Sequence, residues 1–70
     1  MSNDKKQTFT YDAWYRAPGT DRTKDVHITA DGPVNVDAKT IKGAEMLAAR
    51  AIPQEYAEKM EDVEITVRPF

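Results

Sequence analysis

The spacing of the apolar residues restricts this chain to a small α+β fold more tightly than any other feature. Three runs alternate polar and apolar residues, the pattern of a strand with one buried side, and one helical stripe lies between the second and third runs. The first run extends from Thr8 to Arg16, and the third from Val63 to Arg68. The order β-β-α-β predicts a three-stranded antiparallel sheet, with the first strand in the middle and one helix packed on one face.

The second run, from Asp25 to Ala38, is interrupted by Asp31-Gly32-Pro33 and has two interpretations. A hairpin turn at Asp31-Gly32 would separate two strands. Alternatively, one long strand is broken by a bulge and carries Pro33 on an edge, where its missing N–H does no harm. We favour the single interrupted strand, because a hairpin would place Pro33 in the first paired position.

A helix is predicted to begin after Thr40 and to end before Pro53. The Thr40 hydroxyl is suited to accept a hydrogen bond from a free backbone N–H, and the residue before a proline avoids the helical region. A second helical turn, Gln54 to Met60, is expected to turn Tyr56 and Met60 inward. The predicted apolar stripe of the main helix consists of Ile41, Ala44, Leu47, Ala48, Ala51 and Ile52.

The 70 residues are enough for one domain, which we assign to residues 8–70 after a disordered tail at residues 1–7. The chain has no cysteine, so its stability must come from packing or from a partner rather than from disulfides. Its N-terminus does not resemble a signal peptide, and no apolar run approaches the roughly 20 residues that span a bilayer. We therefore expect a cytoplasmic protein that does not bind membranes.

Residues that carry catalysis are scarce in this chain. His27 is the only histidine, and the only serine is Ser2 in the predicted tail, whereas a nucleophile needs a base and a group that orients the base. The sequence has no glycine-rich phosphate loop and no metal-ligand spacing around His27. We expect a non-enzymatic protein without a cofactor or metal, with His27 on the protein surface.

The charge of the chain is concentrated in one segment. Residues 55–64 contain five acids and one base and carry −4, which leaves +2 for the rest because the net charge is −2. An acidic chain disfavours direct binding to nucleic acid, which requires neutralisation of phosphates. The segment is either a solvated turn or a patch that meets a basic partner. Its acids are the candidate binding residues Glu55, Glu58, Glu61, Asp62 and Glu64.

Trp14 is a large aromatic residue on the polar side of the first strand. A tryptophan on an open sheet face is a candidate for a dominant contact in an interface. The alternatives are a bulge that turns Trp14 inward or a loop that folds over it. Arg16, Glu64, Thr66 and Arg68 are expected beside it on the same face.

The second half of the chain resembles a known family. The motifs are the segment 36–48 (VDAKTIKGAEMLA), the Ile52-Pro53 exit from the helix, and the final segment 63–69 (VEITVRP). These motifs and the β-β-α-β order are similar to those of the small podophage proteins that inhibit bacterial RNA polymerase. The resemblance implies binding to the jaw of the polymerase β′ subunit and interference with promoter opening through a mispositioned sigma-factor region.

The resemblance also implies which residues bind. In the family, acidic residues on the helix and two alternating arginines on the last strand carry the interaction. Arg68 occupies one arginine position, Thr66 stands at the other, and Glu64 matches an acid on the same strand. On the helix only Glu45 remains of the acidic face, because other residues replace the rest at Lys39, Lys42, Gly43 and Arg50.

Two further functions are compatible with the sequence. The acidic segment could make the protein an interaction module or nucleic-acid mimic that binds another host protein, such as a defence complex. The chain could also be a small structural protein that self-associates through a strand edge. The sequence does not fix the oligomeric state.

Overall fold

The computed structural model describes residues 5–70 and confirms a small α+β fold. Its strands are β1 (Gln7–Tyr15), β2 (Val26–His27), β3 (Val34–Ala38) and β4 (Val63–Pro69). Its helices are α1 (Ile41–Ala51) and α2 (Gln54–Ala57), with single 3₁₀ turns at Arg22–Lys24 and Met60–Asp62. Gln7, assigned above to the tail, is the first residue of β1, and residues 1–4 of that tail lie outside the described residues.

The first strand is the centre of the sheet, as the sequence predicted. β4 pairs with β1 from Phe9 to Tyr15, so it occupies one whole edge of that strand. β2 and β3 share the other edge, with Trp14 opposite His27 and Phe9 opposite Val36. All three pairings are antiparallel. The aromatic and threonine-rich sequence of β1 suits this position, because both of its edges are hydrogen bonded.

The predicted second strand is present as two strands, which makes four rather than three. β2 and β3 are both antiparallel to β1 and therefore run in the same direction, so the hairpin interpretation is wrong and the interrupted strand is confirmed. The interruption, residues 28–33, lies opposite only Asp12 and Ala13, which makes it larger than a bulge of one residue. It contains a turn in which the Gly32 N–H donates to the Thr29 carbonyl at 2.9 Å, and Gly32 has a φ of 121°.

The main helix begins and ends where the sequence predicted. The Gly43 N–H donates to the Thr40 hydroxyl at 3.0 Å, and the helix stops at Ala51, two residues before Pro53. Small side chains let α1 lie close to the sheet, because Ala44 and Ala48 are completely buried. The buried hydrophobic residues are Phe9, Tyr11, Ala13, Ala17, Ala38, Ala44, Ala48 and Ile52.

Two details of the helical region differ from the prediction. The apolar stripe is wider than the face that packs on the sheet, so Ile41 and Leu47 are 46% and 38% exposed and Ala51 is exposed. Met60 is 36% exposed rather than turned inward, because α2 ends at Ala57 and a separate 3₁₀ turn follows. Tyr56 does turn towards the sheet, with its ring centroid 5.4 Å from that of Tyr15.

Neither helix in residues 5–70 has the length and apolar composition needed to cross a membrane.

Candidate functional site

The sheet has one face covered by α1 and one that α1 leaves open. Strand residues alternate between faces, so the buried Phe9, Tyr11 and Ala13 of β1 define the covered side. Trp14 lies on the opposite side, between its register partners His27 of β2 and Glu64 of β4. The open face therefore carries the aromatic and charged side chains that do not take part in the hydrophobic core.

Trp14 remains on the open face and is half-buried there, so the alternative in which a bulge turns it inward is wrong. Its ring stacks on the His27 imidazole, with centroids 4.2 Å apart and planes 4° from parallel. The Arg16 guanidinium lies over the indole at 4.5 Å, a distance at which a cation is attracted to the aromatic face. The indole is thus held in place before any partner arrives.

Arg16 is fixed by two carboxylates as well as by the indole. Its Nε donates to Glu64 Oε1 at 3.1 Å, and its Nη1 lies 3.4 Å from Asp25 Oδ2. Asp25 is anchored in turn, because its side chain is only 7% exposed and its Oδ1 accepts the Ala17 N–H at 2.8 Å. These contacts fix the guanidinium, whose own side chain is 42% exposed, in a single orientation at the surface.

A second polar group lies next to Trp14. His27 Nε2 is 2.7 Å from Asp12 Oδ1, and the Thr29 hydroxyl donates to the same carboxylate oxygen. The hydrogen bond from Thr29 makes the larger contribution and that from His27 the next, and both lower the pKa of the Asp12 carboxyl below its ordinary value. The Thr29 hydroxyl also accepts the Ala13 N–H at 3.2 Å. It therefore takes the place of the backbone carbonyl that a continuous neighbouring strand would offer to Ala13.

This histidine, carboxylate and hydroxyl are not arranged as a nucleophile triad. In a triad the carboxylate and the nucleophile bond different ring nitrogens, so that the imidazole can pass a proton between them. Here both Asp12 and Thr29 approach Nε2 of His27, at 2.7 and 3.3 Å. Within residues 5–70, no group of three or more histidine, aspartate or glutamate side chains is placed to hold a metal ion.

Arg68 lies at the other end of the open face, beside a shallow groove. It pairs with Thr10, which is four residues from Trp14 along β1, so the two ends are about 13 Å apart. The groove has a volume of about 450 Å³ and mixes aliphatic, aromatic and polar groups. Its lining residues are Thr10, Pro33, Asn35, Arg68, Pro69 and Phe70.

The structure divides the remaining predicted binding residues between two other places. Glu55, Glu58 and Glu61 are exposed on α2 and the turns after it, and Asp62 is half-buried where this segment enters β4. Glu45 is exposed on α1, in the layer on the other side of the sheet. The open face thus brings together Trp14, Arg16, Glu64 and Arg68, and does not include the acids of α1 and α2.

Four residues of the site were not among the predicted binding residues: Asp12, Asp25, His27 and Thr29. Their alternation with apolar neighbours placed them on the polar side of their strands. Their contacts depend on the pairing of Trp14 with His27, which alternation alone does not specify. The sequence therefore indicated on which face of the sheet these four residues lie, but not the hydrogen bonds and ion pairs that they make.

Comparison of the chain with protein-family models, curated protein sequences and solved structures gives no match in any of the three.

Proposed function

We propose that this protein is a non-enzymatic inhibitor that binds a macromolecule of a bacterial host through the open face of its sheet, in the host cytoplasm. The observation that supports this most directly is the fixed position of Trp14 and Arg16, held by His27, Glu64 and Asp25. Tryptophan and arginine supply most of the binding energy in many interfaces, and side chains that are already ordered lose less entropy on binding.

The partner proposed first is the β′ subunit of bacterial RNA polymerase. The family resemblance of the last strand supports this choice, and both strand residues that match the family's binding positions, Glu64 and Arg68, are exposed. They lie on the same face as Trp14, which is the arrangement that a single contiguous contact requires. Binding there would act on transcription by interfering with promoter opening.

The direct test uses purified bacterial RNA polymerase on a biosensor, together with promoter-dependent transcription in vitro. We expect the wild-type protein to bind and to reduce transcript, and Trp14→Ala to weaken binding by roughly 30-fold, the effect of removing one dominant contact. Arg68→Glu is expected to weaken binding as well. Glu45→Lys tests the helix contact that the resemblance implies, and a contact confined to the open face leaves its affinity like wild type. Asp31→Lys, at an exposed acid outside both surfaces, is the matched control.

Each arm of this experiment can contradict the proposal. Absence of binding together with unchanged transcription would remove the polymerase as the target. Full affinity in Trp14→Ala, with loss of affinity in Glu45→Lys, would move the contact from the sheet to α1. Circular dichroism of each variant shows whether the fold is intact.

A second candidate function is an acidic module that occupies a basic groove on another host protein, such as a defence complex. It is supported by the exposure of Glu55, Glu58 and Glu61 on one short segment. Reversal of these three acids to lysine should then abolish binding, and salt should weaken it. Reversal of Asp31, Asp37 and Glu45, which are exposed acids on other elements, is the matched control.

A further inference from the structure

We propose that two copies of this chain pair through the free edge of β4, antiparallel and centred on Thr66, to form one continuous sheet. Within residues 5–70, β4 pairs with β1 along one edge and no strand pairs with its other edge, and its seven residues follow β1 in unbroken register. Bulges, charged side chains, prolines or a covering segment usually protect such edges. β4 has no bulge, and its proline is confined to the last position, Pro69. Its two charged residues, Glu64 and Arg68, have opposite signs, so they can attract a second copy as well as repel one.

The hydrogen bonds at the ends of the β1–β4 ladder show which backbone groups of β4 face outward. The Phe70 N–H donates to the Thr8 carbonyl at 3.1 Å, and the Arg16 N–H donates to the Asp62 carbonyl at 2.8 Å. Hydrogen-bonded pairs in an antiparallel ladder alternate, so the even-numbered residues of β4 bond to β1. The N–H and C=O groups of Ile65 and Val67 therefore point away from the sheet.

A pairing centred on Thr66 uses these outward groups. It places Ile65 opposite Val67 of the second copy, and each such pair exchanges both of its hydrogen bonds. The symmetry axis passes between the two Thr66 residues, so the pairing is self-complementary and closes as a dimer instead of extending into a fibre. Helix α1 of both copies would lie on the same side, and the two open faces would join.

Charge selects this register from its neighbours. Centred on Thr66, the pairing puts Glu64 of each copy opposite Arg68 of the other, at non-hydrogen-bonded positions where side chains are closest. Both side chains are exposed on the open face. Glu64 accepts the Arg16 Nε hydrogen bond through Oε1, so the pair with Arg68 of the second copy would use Oε2. A pairing centred on residue 65 or 67 would place Thr66 opposite Glu64 or Arg68 and lose these ion pairs, and one centred on residue 64 or 68 would oppose like charges. The outer edge of β3 offers no such complement, because Asp37 is its only charged residue.

This inference does not depend on the proposed function, and its test measures association alone. An edge contact is small, so we expect a weak dimer, visible by sedimentation as a mass that rises towards twice the 7.9 kDa of one chain between about 10 µM and 1 mM. Glu64→Arg and Arg68→Glu should each raise the dissociation constant roughly tenfold or more, because each replaces two attractive pairs by two repulsive ones.

Variants that swap the charges of residues 64 and 68 distinguish this register from other interfaces. The double variant Glu64→Arg/Arg68→Glu should dimerise more tightly than either single variant, even though it lacks the ion pair between Arg16 and Glu64 within each copy. The two single variants, each monomeric alone, should form a mixed dimer when combined, because every charge then meets its opposite. The matched control, Glu45→Arg/Arg50→Glu, makes the same charge exchange at exposed positions of α1 and should leave association unchanged.

Amide hydrogen exchange tests the backbone pairing directly. In dilute solution the amides of Ile65 and Val67 should exchange quickly while those of Glu64, Thr66 and Arg68 are protected, and at high concentration all five should be protected. A chain that stays monomeric at 1 mM, a mixture of single variants that does not associate, or a dimer in which Ile65 and Val67 remain unprotected would overturn the proposal.

Discussion

At the scale of single residues, Thr29 is the side chain that repairs a break in the sheet. On the edge of β1 that β2 and β3 share, no strand pairs with Asp12 and Ala13, and the Thr29 hydroxyl accepts the Ala13 N–H at 3.2 Å while it donates to Asp12. Thr29 is 9% exposed, so water cannot easily take over these bonds. A threonine in the interruption therefore has a structural role that its place in a loop does not reveal.

We expect Thr29→Val to destabilise the fold by about 1–3 kcal/mol, because it leaves a buried N–H without an acceptor while preserving side-chain shape. Urea unfolding followed by circular dichroism measures the change. Thr20→Val, at an exposed position in the loop after β1, is the control and should change stability by less than about 0.5 kcal/mol. Equal effects at the two positions would show that the Thr29 hydroxyl does not support the sheet.

The pH dependence of stability should report on Asp12. Hydrogen bonds from Thr29 and His27 lower the pKa of this carboxyl in the folded state. A lowered folded pKa means that the stabilisation is fully present above the pKa of the unfolded chain and is lost as the pH falls through the folded value. The loss should therefore appear from about pH 4 downward.

Asp12→Asn is the variant that isolates this contribution. We expect its unfolding free energy to lie below that of wild type at pH 6 and the two to converge as the pH falls towards 2. Because Asp12 is one-third exposed, solvent screens the interaction and the difference should be small. A constant difference between pH 6 and pH 2 would contradict the assignment.

At the scale of the elements, alternation and capping predicted where each strand and the main helix lie. They could not predict the size of the interruption between β2 and β3. Asp31-Gly32-Pro33 signals a break whether the chain turns back or bulges out, and only pairing with β1 decides between the two. The stripe of α1 was likewise drawn too wide, because a short sheet has no surface to cover Ile41 and Leu47.

Replacement by alanine should have opposite effects on stability at Gly32, between β2 and β3, and at Gly43, in α1. Gly32 has a φ of 121°, which side chains rarely adopt, so Gly32→Ala is expected to cost about 1–3 kcal/mol. Gly43 lies in the first turn of α1, where an added Cβ would meet Thr40 and Ala38 at 3.4 and 3.6 Å, ordinary contact distances. Gly43→Ala should therefore stabilise the fold by about 0.5–1 kcal/mol.

Thermal unfolding of the two alanine variants beside wild type measures both effects. Each variant adds one methyl group, so an effect of side-chain size or hydrophobicity alone would shift both unfolding temperatures in the same direction. A stable Gly32→Ala variant would mean that the turn after Thr29 tolerates other backbone conformations and does not fix the interruption.

At the scale of the whole molecule, the sequence specified one covered face and one open face, but not how the open face is organised. Among the described residues, five of the eight buried hydrophobic residues are alanines, which let α1 lie close to the sheet but bury little apolar area each. A domain of this size without disulfides is expected to be marginally stable. Association is therefore a source of stability that such a chain can use.

The unfolding temperature should consequently depend on protein concentration. Association of the folded state through β4 stabilises it by mass action, so the wild-type midpoint is expected to rise as the concentration increases from about 10 µM to 1 mM. Arg68→Glu, which opposes like charges across the pairing, should have a midpoint that does not change with concentration, and Glu64→Arg/Arg68→Glu should regain the dependence. Because the two variants carry the same Arg68 substitution and differ only at residue 64, loss and recovery of the dependence can be assigned to the charge pairing across β4. A midpoint that rises equally in all three proteins would place the association elsewhere on the molecule.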